Sequence, residues 1–268
     1  MIQINIAQLK DFQTCERLYD FRHLQNMPET IGGRQLLSTK FENTIKSIVH
    51  YFFYKKQAGI TPSYASLLNR WEKLWFPKEA SSFDIIHEQH ETLYGNTASL
   101  TTKAAAVLLE LIENFGSQDI IPIGIDEDFI APVIPGLAIK DKFDLIYSQN
   151  GKIFVIKWLF NHKLKYEDSY IVDFSVMNIG YRNRFIDKIE KTKFGYFDLL
   201  NQKPEFTEFK IEQEDMDALR YWCQSLSEEK IFPSRRGLTS YCKTCPFDKP
   251  CSKWVAWAKK EEMNAKKQ

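Results

Sequence analysis

The sequence has no excess of either charge and no long apolar run. Its 268 residues include 36 Lys and Arg and 35 Asp and Glu, which gives a formal net charge of +1. A globally basic protein is therefore excluded, so any nucleic-acid site must be a local patch. No apolar stretch approaches the ~20 residues that a membrane span needs, and the first residues lack the charged and apolar regions of a signal peptide. We therefore expect an intracellular, cytoplasmic protein without a membrane-spanning segment.

The chain also lacks repeats, low-complexity segments and an even set of cysteines. Its five cysteines, in a chain expected to be intracellular, favour metal ligands or free thiols over disulfides. A hydrophobic content of 44% and a charged content of 26% are typical of a globular protein and argue against extensive disorder. We predict a single domain over residues 1–268, long enough to bury a sizeable core.

The sequence does contain a compact cysteine motif near its end. Cys242, Cys245 and Cys251 are separated by two and by five residues, in a loop that two prolines interrupt. This spacing lets three thiolates point at one centre. Cys15 can supply a fourth ligand, in which case the centre would tie the two ends of the chain together. Cys223 lies in a helical pattern without a spaced partner, and we expect it to be a core thiol.

Hydrophobic periodicity divides the rest of the chain into a helical and an extended part. Apolar residues at helical spacing predict helices over 5–25, 36–56, 64–76 and 98–114. After Gly116 the period changes, and it predicts strands over 120–125, 127–132, 137–148 and 152–160, with a hairpin turn at Asn150 and Gly151.

A helix over 172–187, a strand over 194–200 and a helix over 212–228 follow before the cysteine loop. This order predicts an α/β fold in which helices flank a central mixed sheet. The expected parts are a helical N-terminal part at 1–116, a sheet core at 117–211, and a C-terminal helix with the cysteine loop at 212–268.

Taken together, these features resemble the Fe–S branch of the PD-(D/E)XK nuclease superfamily. The chain is similar to CRISPR-associated Fe–S exonucleases and to the nuclease domain of RecB- and AddB-type proteins. The likeness covers nearly the whole chain and rests on the C-terminal cysteine motif, on Cys15 followed by Arg17, Leu18 and Tyr19, and on the hairpin that carries Asp144.

The resemblance implies a restriction-endonuclease-like fold and a [4Fe–4S] cluster. The implied cluster ligands are Cys15, Cys242, Cys245 and Cys251. A structural zinc ion on the same thiolates is the alternative, and free cysteines with an accidental spacing are the remaining interpretation.

The resemblance also implies a nuclease site, and the sequence departs from it. Such a site holds Mg²⁺ or Mn²⁺ between an Asp and the acid of an Asp/Glu-x-Lys segment on the next strand. Asp144 corresponds to the first Asp. If Lys157 stands in the acid's place, Leu159 replaces the catalytic lysine, and if Lys157 is that lysine, Val155 replaces the acid. In either register the second carboxylate is missing.

Two further positions depart from the family pattern. Lys46 stands where family members have a metal-binding His, although His50 lies one helical turn further on and could take that role. Met177 replaces the Gln of a Gln-x3-Tyr pattern. These departures predict a catalytically inactive protein in which Asp144 and Lys157 are vestigial, and an ion pair of Asp144 with a neighbouring lysine explains that residue equally well.

Basic residues interleaved with aromatic residues form the candidate nucleic-acid contacts. Such groups hold phosphates and stack on bases, although each cluster alone is also typical of a solvated helix face. The candidates are Arg17, Arg22, Tyr181, Arg182, Arg184, Arg235 and Arg236.

The sequence therefore favours an inactive Fe–S nuclease-fold protein. We expect it to bind DNA ends or single strands, or to scaffold a partner nuclease, helicase or polymerase in replication, recombination or repair. The first alternative is an active Mg²⁺- or Mn²⁺-dependent DNA exonuclease that uses Asp144 with partners such as Glu127, His50 and Lys157. The second is a protein-interaction subunit with no nucleic-acid role, and fold alone does not separate the three.

Overall fold

A computed structural model of the chain describes residues 1–29, 33–76, 97–117, 119–160, 167–185, 192–200, 206–228, 242, 245–252 and 255. Within these ranges no helix is both long enough and apolar enough to cross a membrane. The strands are β1 (Ile2–Asn5), β2 (Ile121–Ile134), β3 (Leu137–Gln149), β4 (Lys152–Leu159), β5 (Thr192–Asp198) and β6 (Thr207–Glu208). The main helices are α1 (Ile6–Thr14), α2 (Glu16–Tyr19), α3 (Gly33–Gln57), α4 (Tyr64–Trp75), α5 (Thr97–Phe115), α6 (Glu167–Arg184) and α7 (Gln213–Glu228).

The six strands form one mixed sheet. Strands β2, β3 and β4 are antiparallel neighbours, whereas β1 pairs with β3 and β5 pairs with β4 in the parallel sense. Strand β6 closes the far edge through two residue pairs with β5. The turn between β3 and β4 has Asn150 at φ 51° and Gly151 at φ 73°, the left-handed pair that a tight hairpin turn requires. The predicted mixed sheet and this turn are confirmed.

The predicted helix over 5–25 is helical in large part, but it is divided into pieces. Residues 2–5 form a parallel edge strand, and α1 begins at Ile6. Cys15 between α1 and α2 is extended, with φ −168° and ψ 120°, and a π-helical turn at Asp20–Leu24 follows α2. Asn5 ends the strand and starts α1 through a capping box with Gln8, a polar pair that satisfies helix-end N–H groups.

The two short strands predicted over 120–132 are one long strand, β2, with a kink at Asp126. Asp126 has φ 51°, a left-handed conformation that interrupts the regular pleat opposite Asp144. On β3, Phe143 packs on one face of the sheet, whereas Leu145, two residues later, packs on the other. At the kink, the apolar side chains of β3 therefore switch from one face of the sheet to the other.

Helices cover both faces of the sheet, as predicted. The first core lies between the sheet and helices α3, α4 and α5, and the second core lies between the sheet and helices α1, α6 and α7. Successive residues of β4 alternate between them, since Val155 faces the second core and Ile156 the first. A mixed sheet between two helical layers is the resulting architecture.

Helix α6 is buried on nearly all sides. Most residues over 172–181 are buried, because the sheet, α1 and α7 surround the helix. Gly180 allows α6 to pack closely against β2, because a Cβ at this position would lie only 2.1 Å from the ring of Phe129. Packing therefore holds the polar residues of this helix in place, and Asp173 is one of them.

Candidate functional site

The strand pairing leaves an opening in the sheet beside residues 141–144. Strand β2 occupies one edge of β3 along nearly its whole length, so β1 and β4 must share the other edge. On that edge β1 pairs with 137–140 and β4 pairs with 145–149. Strand β4 and helix α1 therefore diverge from the intervening residues, and charged side chains fill the space. We call this the fork, formed by Lys10, Asp141, Asp144, Lys157 and Asp173.

Lys157 is the centre of the fork. Its Nζ lies 2.7 Å from an Asp141 carboxylate oxygen and 4.0 Å from one of Asp173. The other oxygen of Asp173 is paired with the Lys10 ammonium. Three elements of the fold, β3, β4 and α6, thus bring one cation and two carboxylates into direct contact.

Asp144 completes the fork from the kink in the hairpin. Its Oδ2 accepts a hydrogen bond of 2.9 Å from the backbone N–H of Trp158, where β4 leaves β3. Asp144 also acts on Lys157 electrostatically, together with Asp141 and Asp173. The carboxylate is buried, so these neighbours replace the water that it would otherwise bind.

The ammonium of Lys157 stays charged although it is almost sealed from solvent. Its side chain is 15% exposed, and burial by itself would lower its pKa. The carboxylates of Asp144, Asp141 and Asp173 outweigh burial and raise the pKa above the ordinary lysine value. The fork is therefore an internally compensated charge cluster.

The second carboxylate of a nuclease site is absent from β4. Val155 is 0% exposed and packs in the second core, on the same side of the strand as Lys157. Leu159, two residues beyond Lys157, also packs against this core. The strand thus offers one charged side chain between two apolar ones, which agrees with either register of the sequence prediction.

The helix-borne positions fall around the fork without completing it. The Lys46 ammonium lies over the ring of Phe160, 5.8 Å from its centroid. His50 is half-buried near Asp144 and Asp126, its Nε2 has no hydrogen-bond partner among the described residues, and burial lowers its pKa. Met177 is fully buried in the second core.

Glu127 is the partner of Asp144 in the alternative of an active exonuclease, but it forms an ion pair with a different residue. Its Oε2 lies 2.7 Å from the guanidinium of Arg184, and its side chain lies against Gly124. Among the described parts of the chain, no group of three or more His, Cys, Asp or Glu has an arrangement that could hold a metal ion.

The sequence did not reveal Asp141, Asp173 or Lys10 as members of this site. Asp173 carried one usable signal, because a carboxylate stands alone in the apolar run from Tyr170 to Val176. A buried acid on an apolar helix needs a cationic partner. The identity of that partner depends on sheet topology, which periodicity alone does not give.

A second region contains the cysteine group, which consists of Cys15, Cys242, Cys245 and Cys251. Cys15 projects from the break between α1 and α2, and its carbonyl oxygen accepts the N–H groups of Leu18 and Tyr19. Cys15, Cys245 and Cys251 all pack against one small apolar cluster of Leu18, Phe21 and Phe247.

Cys245 also interacts electrostatically with the other three cysteines of the group. Burial raises the pKa of the Cys245 thiol, and the neighbouring Cys15, Cys251 and Cys242 raise it further. Four neighbouring cysteines, once deprotonated, are a suitable donor set for a cationic metal centre. Cys223 stands apart, fully buried in the second core, where burial raises its pKa to about 12.

Arg17 and Arg22, predicted to contact nucleic acid, lie beside the cysteine group. Arg17 is buried, pairs with Asp20 and stacks its guanidinium on Phe21. Arg22 is held by Asp11 at 2.7 Å and by Glu29 at 2.6 Å. Both guanidinium groups thus brace the segment that carries Cys15.

The other predicted nucleic-acid residues lie near the end of α6 or outside the described residues. Tyr181 is buried among Phe143, Phe185 and Phe194, whereas Arg182 is exposed and Arg184 is partly exposed. Arg235 and Arg236 lie outside the described residues.

Comparisons with known proteins show a distant likeness in fold only. No protein-family model matches the chain, and no curated protein matches its sequence. A crystal structure of a candidate exonuclease from Eubacterium rectale is 13% identical, with a TM-score of 0.48, over 90% of this chain and 87% of that one. The crystal structure of the protein SSO0001 is 14% identical, with a TM-score of 0.39, over 92% of this chain and 84% of that one. Likenesses this distant carry no argument about activity.

Proposed function

We propose that this chain is a nuclease-fold protein without phosphodiesterase activity that scaffolds a nucleic-acid-processing complex in replication, recombination or repair. The observation that carries the proposal is the position of Lys157, which lies among Asp141, Asp144 and Asp173. In this proposal the lysine ammonium takes the place that a divalent cation would need.

The charge balance of the fork supports the absence of catalysis. Mg²⁺ and Mn²⁺ bind through carboxylate oxygens in a defined geometry and act by positioning and polarising water and phosphate. At the fork an oxygen of Asp141 is bonded to Lys157, and Asp144 accepts a backbone N–H. A metal ion would have to displace the Lys157 ammonium from its carboxylates. An ammonium that remains buried without these partners is strongly unfavourable.

A metal-dependent DNA nuclease is the second candidate function, and one observation favours it. Asp173 approaches Lys157 from α6, so a carboxylate from the helix could serve in place of Val155. Asp144 and Asp173 would then bind Mg²⁺ or Mn²⁺, and Lys157 would orient the attacking water. This alternative requires Lys157 to leave Asp141.

Cleavage of DNA separates the two candidates. The purified protein is incubated with end-labelled single- and double-stranded DNA and Mg²⁺ or Mn²⁺, beside the variants Asp144→Ala and Asp173→Asn. We expect no cleavage above that of either variant. Cleavage that both substitutions abolish would establish the nuclease and overturn the scaffold proposal.

We propose a [4Fe–4S] cluster on the cysteine group as a structural staple. Its support is the donor set: Cys15, Cys245 and Cys251 pack against one apolar cluster beside Arg17 and Arg22, and Cys242 acts electrostatically on Cys245. When bound, such a cluster would supply cross-linking between the N-terminal helices and the C-terminal loop. A zinc ion on the same thiolates is the alternative.

DNA is proposed as a partner of the scaffold, at a more limited surface than the sequence indicated. Arg182 and Arg184 at the end of α6 are the described candidates with exposed guanidinium groups, and Arg235 and Arg236 remain predictions. We expect salt-dependent retention of labelled DNA that weakens on Arg182→Ala with Arg184→Ala. Absence of retention at low salt would favour a protein-interaction subunit with no nucleic-acid role.

A further inference from the structure

A cleft opens on the outer side of α6, away from the fork. It has a volume of about 580 Å³ and lies between the end of β2, the C-terminal half of α6 and the start of α7. Its aliphatic part includes Val133, Ile179 and Met216, and its polar part includes Asn178, Arg182 and Asn183. The cleft therefore combines an apolar floor with amide and guanidinium groups, as many ligand and peptide sites do.

Arg182 gives the cleft its charge. It is exposed on α6 and has no acidic partner among the residues that the structure describes. Arg220, on the opposite wall, is already bound to Asp217 at 2.8 Å, and Glu212 is the carboxylate of the lining. The available positive charge is thus concentrated at Arg182, whose planar guanidinium suits a carboxylate.

The amide groups beside Arg182 are positioned by the fold. The side-chain amide of Asn183 donates to the carbonyl oxygen of Ile130 on β2, at 3.3 Å, which fixes the side chain against the strand. Asn178 is buried one helical turn before Arg182 on α6. A carboxylate at Arg182 would therefore meet a rigid wall, which lowers the entropy cost of binding.

The lining favours a peptide over a nucleic acid. Single-stranded nucleic acids are held by aromatic rings on which bases stack, together with cations. None of the described residues that line this cleft is aromatic. Branched aliphatic side chains and a methionine instead suit an apolar amino-acid side chain of a partner.

We propose that this cleft binds a short peptide segment of a partner protein, in which a carboxylate adjoins an aliphatic residue. Arg182 pairs with the carboxylate, and Val133, Ile179 and Met216 take the aliphatic side chain. The inference rests on the scaffold function proposed above and gives its partner a chemistry. The carboxylate is that of an acidic side chain within the segment.

Fluorescence polarisation tests the proposal with defined probes. The probes are two matched pairs of fluorescein-labelled octapeptide libraries. The first pair has a fixed Asp-Leu core or a fixed Lys-Leu core. The second pair ends in a Leu residue with a free carboxylate or with a C-terminal amide. We expect the Asp-Leu library to bind at least tenfold more tightly than the Lys-Leu library. A preference found only between the free-carboxylate and amide libraries would overturn the assignment to a side chain.

Substitutions in the cleft locate the binding. Loss of a charge-assisted hydrogen bond is worth about 1.5–3 kcal/mol, so Arg182→Ala should weaken binding roughly 10- to 100-fold. Met216→Ala should weaken it several-fold, and Arg220→Ala, whose guanidinium is already paired, should change it less than twofold. Circular dichroism of each variant establishes that the fold is retained.

Two results would overturn the proposal. They are equal binding of the acidic and basic libraries, and peptide binding that Arg182→Ala leaves unchanged. Neither of these results touches the cleavage assay. Conversely, DNA cleavage that depends on Asp144 would remove the scaffold proposal while leaving peptide binding measurable.

Discussion

The fork and the cysteine group solve the problem of concentrated charge in opposite ways. In the fork, carboxylates from β3 and α6 surround an ammonium from β4 that belongs to the same chain. In the cysteine group, burial raises the pKa of Cys245, and the neighbouring Cys15, Cys251 and Cys242 raise it further, so the protonated thiol is favoured. The fork keeps its charges and pairs most of them within the chain, whereas the cysteine group has no cation of its own to pair with.

We propose that this difference separates a site that does without an added metal ion from one that holds it. In the fork, Lys157 acts on all three acids, and Lys10 pairs with Asp173. Deprotonated cysteines repel one another, so a cation is needed to join them. We infer that the cysteine group is the part of the molecule where an added metal contributes stability.

Removal of a ligand from the cysteine group should have the largest effect. A tie between Cys15 and Cys242 closes a loop of about 230 residues and is worth about 5 kcal/mol of chain entropy, so Cys15→Ala should lower the free energy of unfolding by about that amount. We expect anaerobically purified protein to be brown and Cys15→Ala to be colourless. Guanidinium unfolding with iron and sulfide analysis measures both.

Cys223→Ala is the matched control for this substitution. Cys223 is fully buried outside the cysteine group, so its truncation should cost about 1–2 kcal/mol through a small cavity and leave the colour unchanged. Colourless native protein with stoichiometric zinc would replace the Fe–S proposal by the zinc alternative. Native protein without iron or zinc would show that the thiols are free.

Removal of Lys157 should have the next largest effect. Lys157→Met leaves the buried Asp144 and the partly buried Asp141 without their cation, while Asp173 keeps Lys10, and breaking a buried ion pair in this way costs about 3–5 kcal/mol. Asp141→Asn in the same chain should recover part of the loss. Chemical unfolding of the single and double variants gives both values.

Lys142 provides an exposed counterpart to Lys157. Its Nζ lies 2.8 Å from Asp126, and its side chain is 48% exposed, so Lys142→Met should cost less than about 1 kcal/mol. If the Lys157 ammonium stands in for a metal, MnCl₂ should raise the melting temperature of Lys157→Met and leave that of Lys142→Met unchanged. Equal responses to MnCl₂ would contradict this view of the fork.

His50 should produce the smallest effect, visible only through pH. Burial lowers its pKa, with Asp144 and Asp126 opposing and Lys46 and Lys142 reinforcing the shift. The unfolded chain therefore takes up the proton first, and stability falls as the pH drops below about 6.5, the ordinary histidine pKa.

The variant His50→Asn should remove this part of the acid sensitivity. We expect the stability gap between native protein and variant to narrow as the pH falls from neutral through the lowered pKa. Unfolding curves at a series of pH values measure the gap. A gap that widens on acidification would mean that Asp144 and Asp126 outweigh burial.

Local sequence signals predicted the architecture better than the site. The helices α3, α4 and α5, the hairpins and the mixed sheet follow from periodicity and turn residues, and these predictions are confirmed. The absence of an acid on β4 was visible at Val155 because it depends on the register of a single strand. The cysteine ligands remain a prediction, although the described structure brings Cys15 beside the C-terminal cysteines.

The remainder depended on contacts between distant segments. Asp173 reaches Lys157 only because β1 and β4 share one edge of β3, and no local pattern encodes that arrangement. Arg17 and Arg22 were predicted to contact nucleic acid, yet Arg17 pairs with Asp20 in the same turn, and Arg22 pairs with Asp11 on α1 and with Glu29. Amphipathic spacing also does not distinguish one helix from two helices that meet at an extended Cys15.

The kink at Asp126 has a consequence for how the molecule unfolds. The alternation of side chains along β3 shifts at this kink. A single hairpin therefore contributes Leu145 to the first core and Phe143 to the second. Neither core can lose its packing without exposing a strand that the other requires. The two helical layers are therefore coupled into one cooperative unit, and partial opening of either layer is suppressed while the hairpin stays paired.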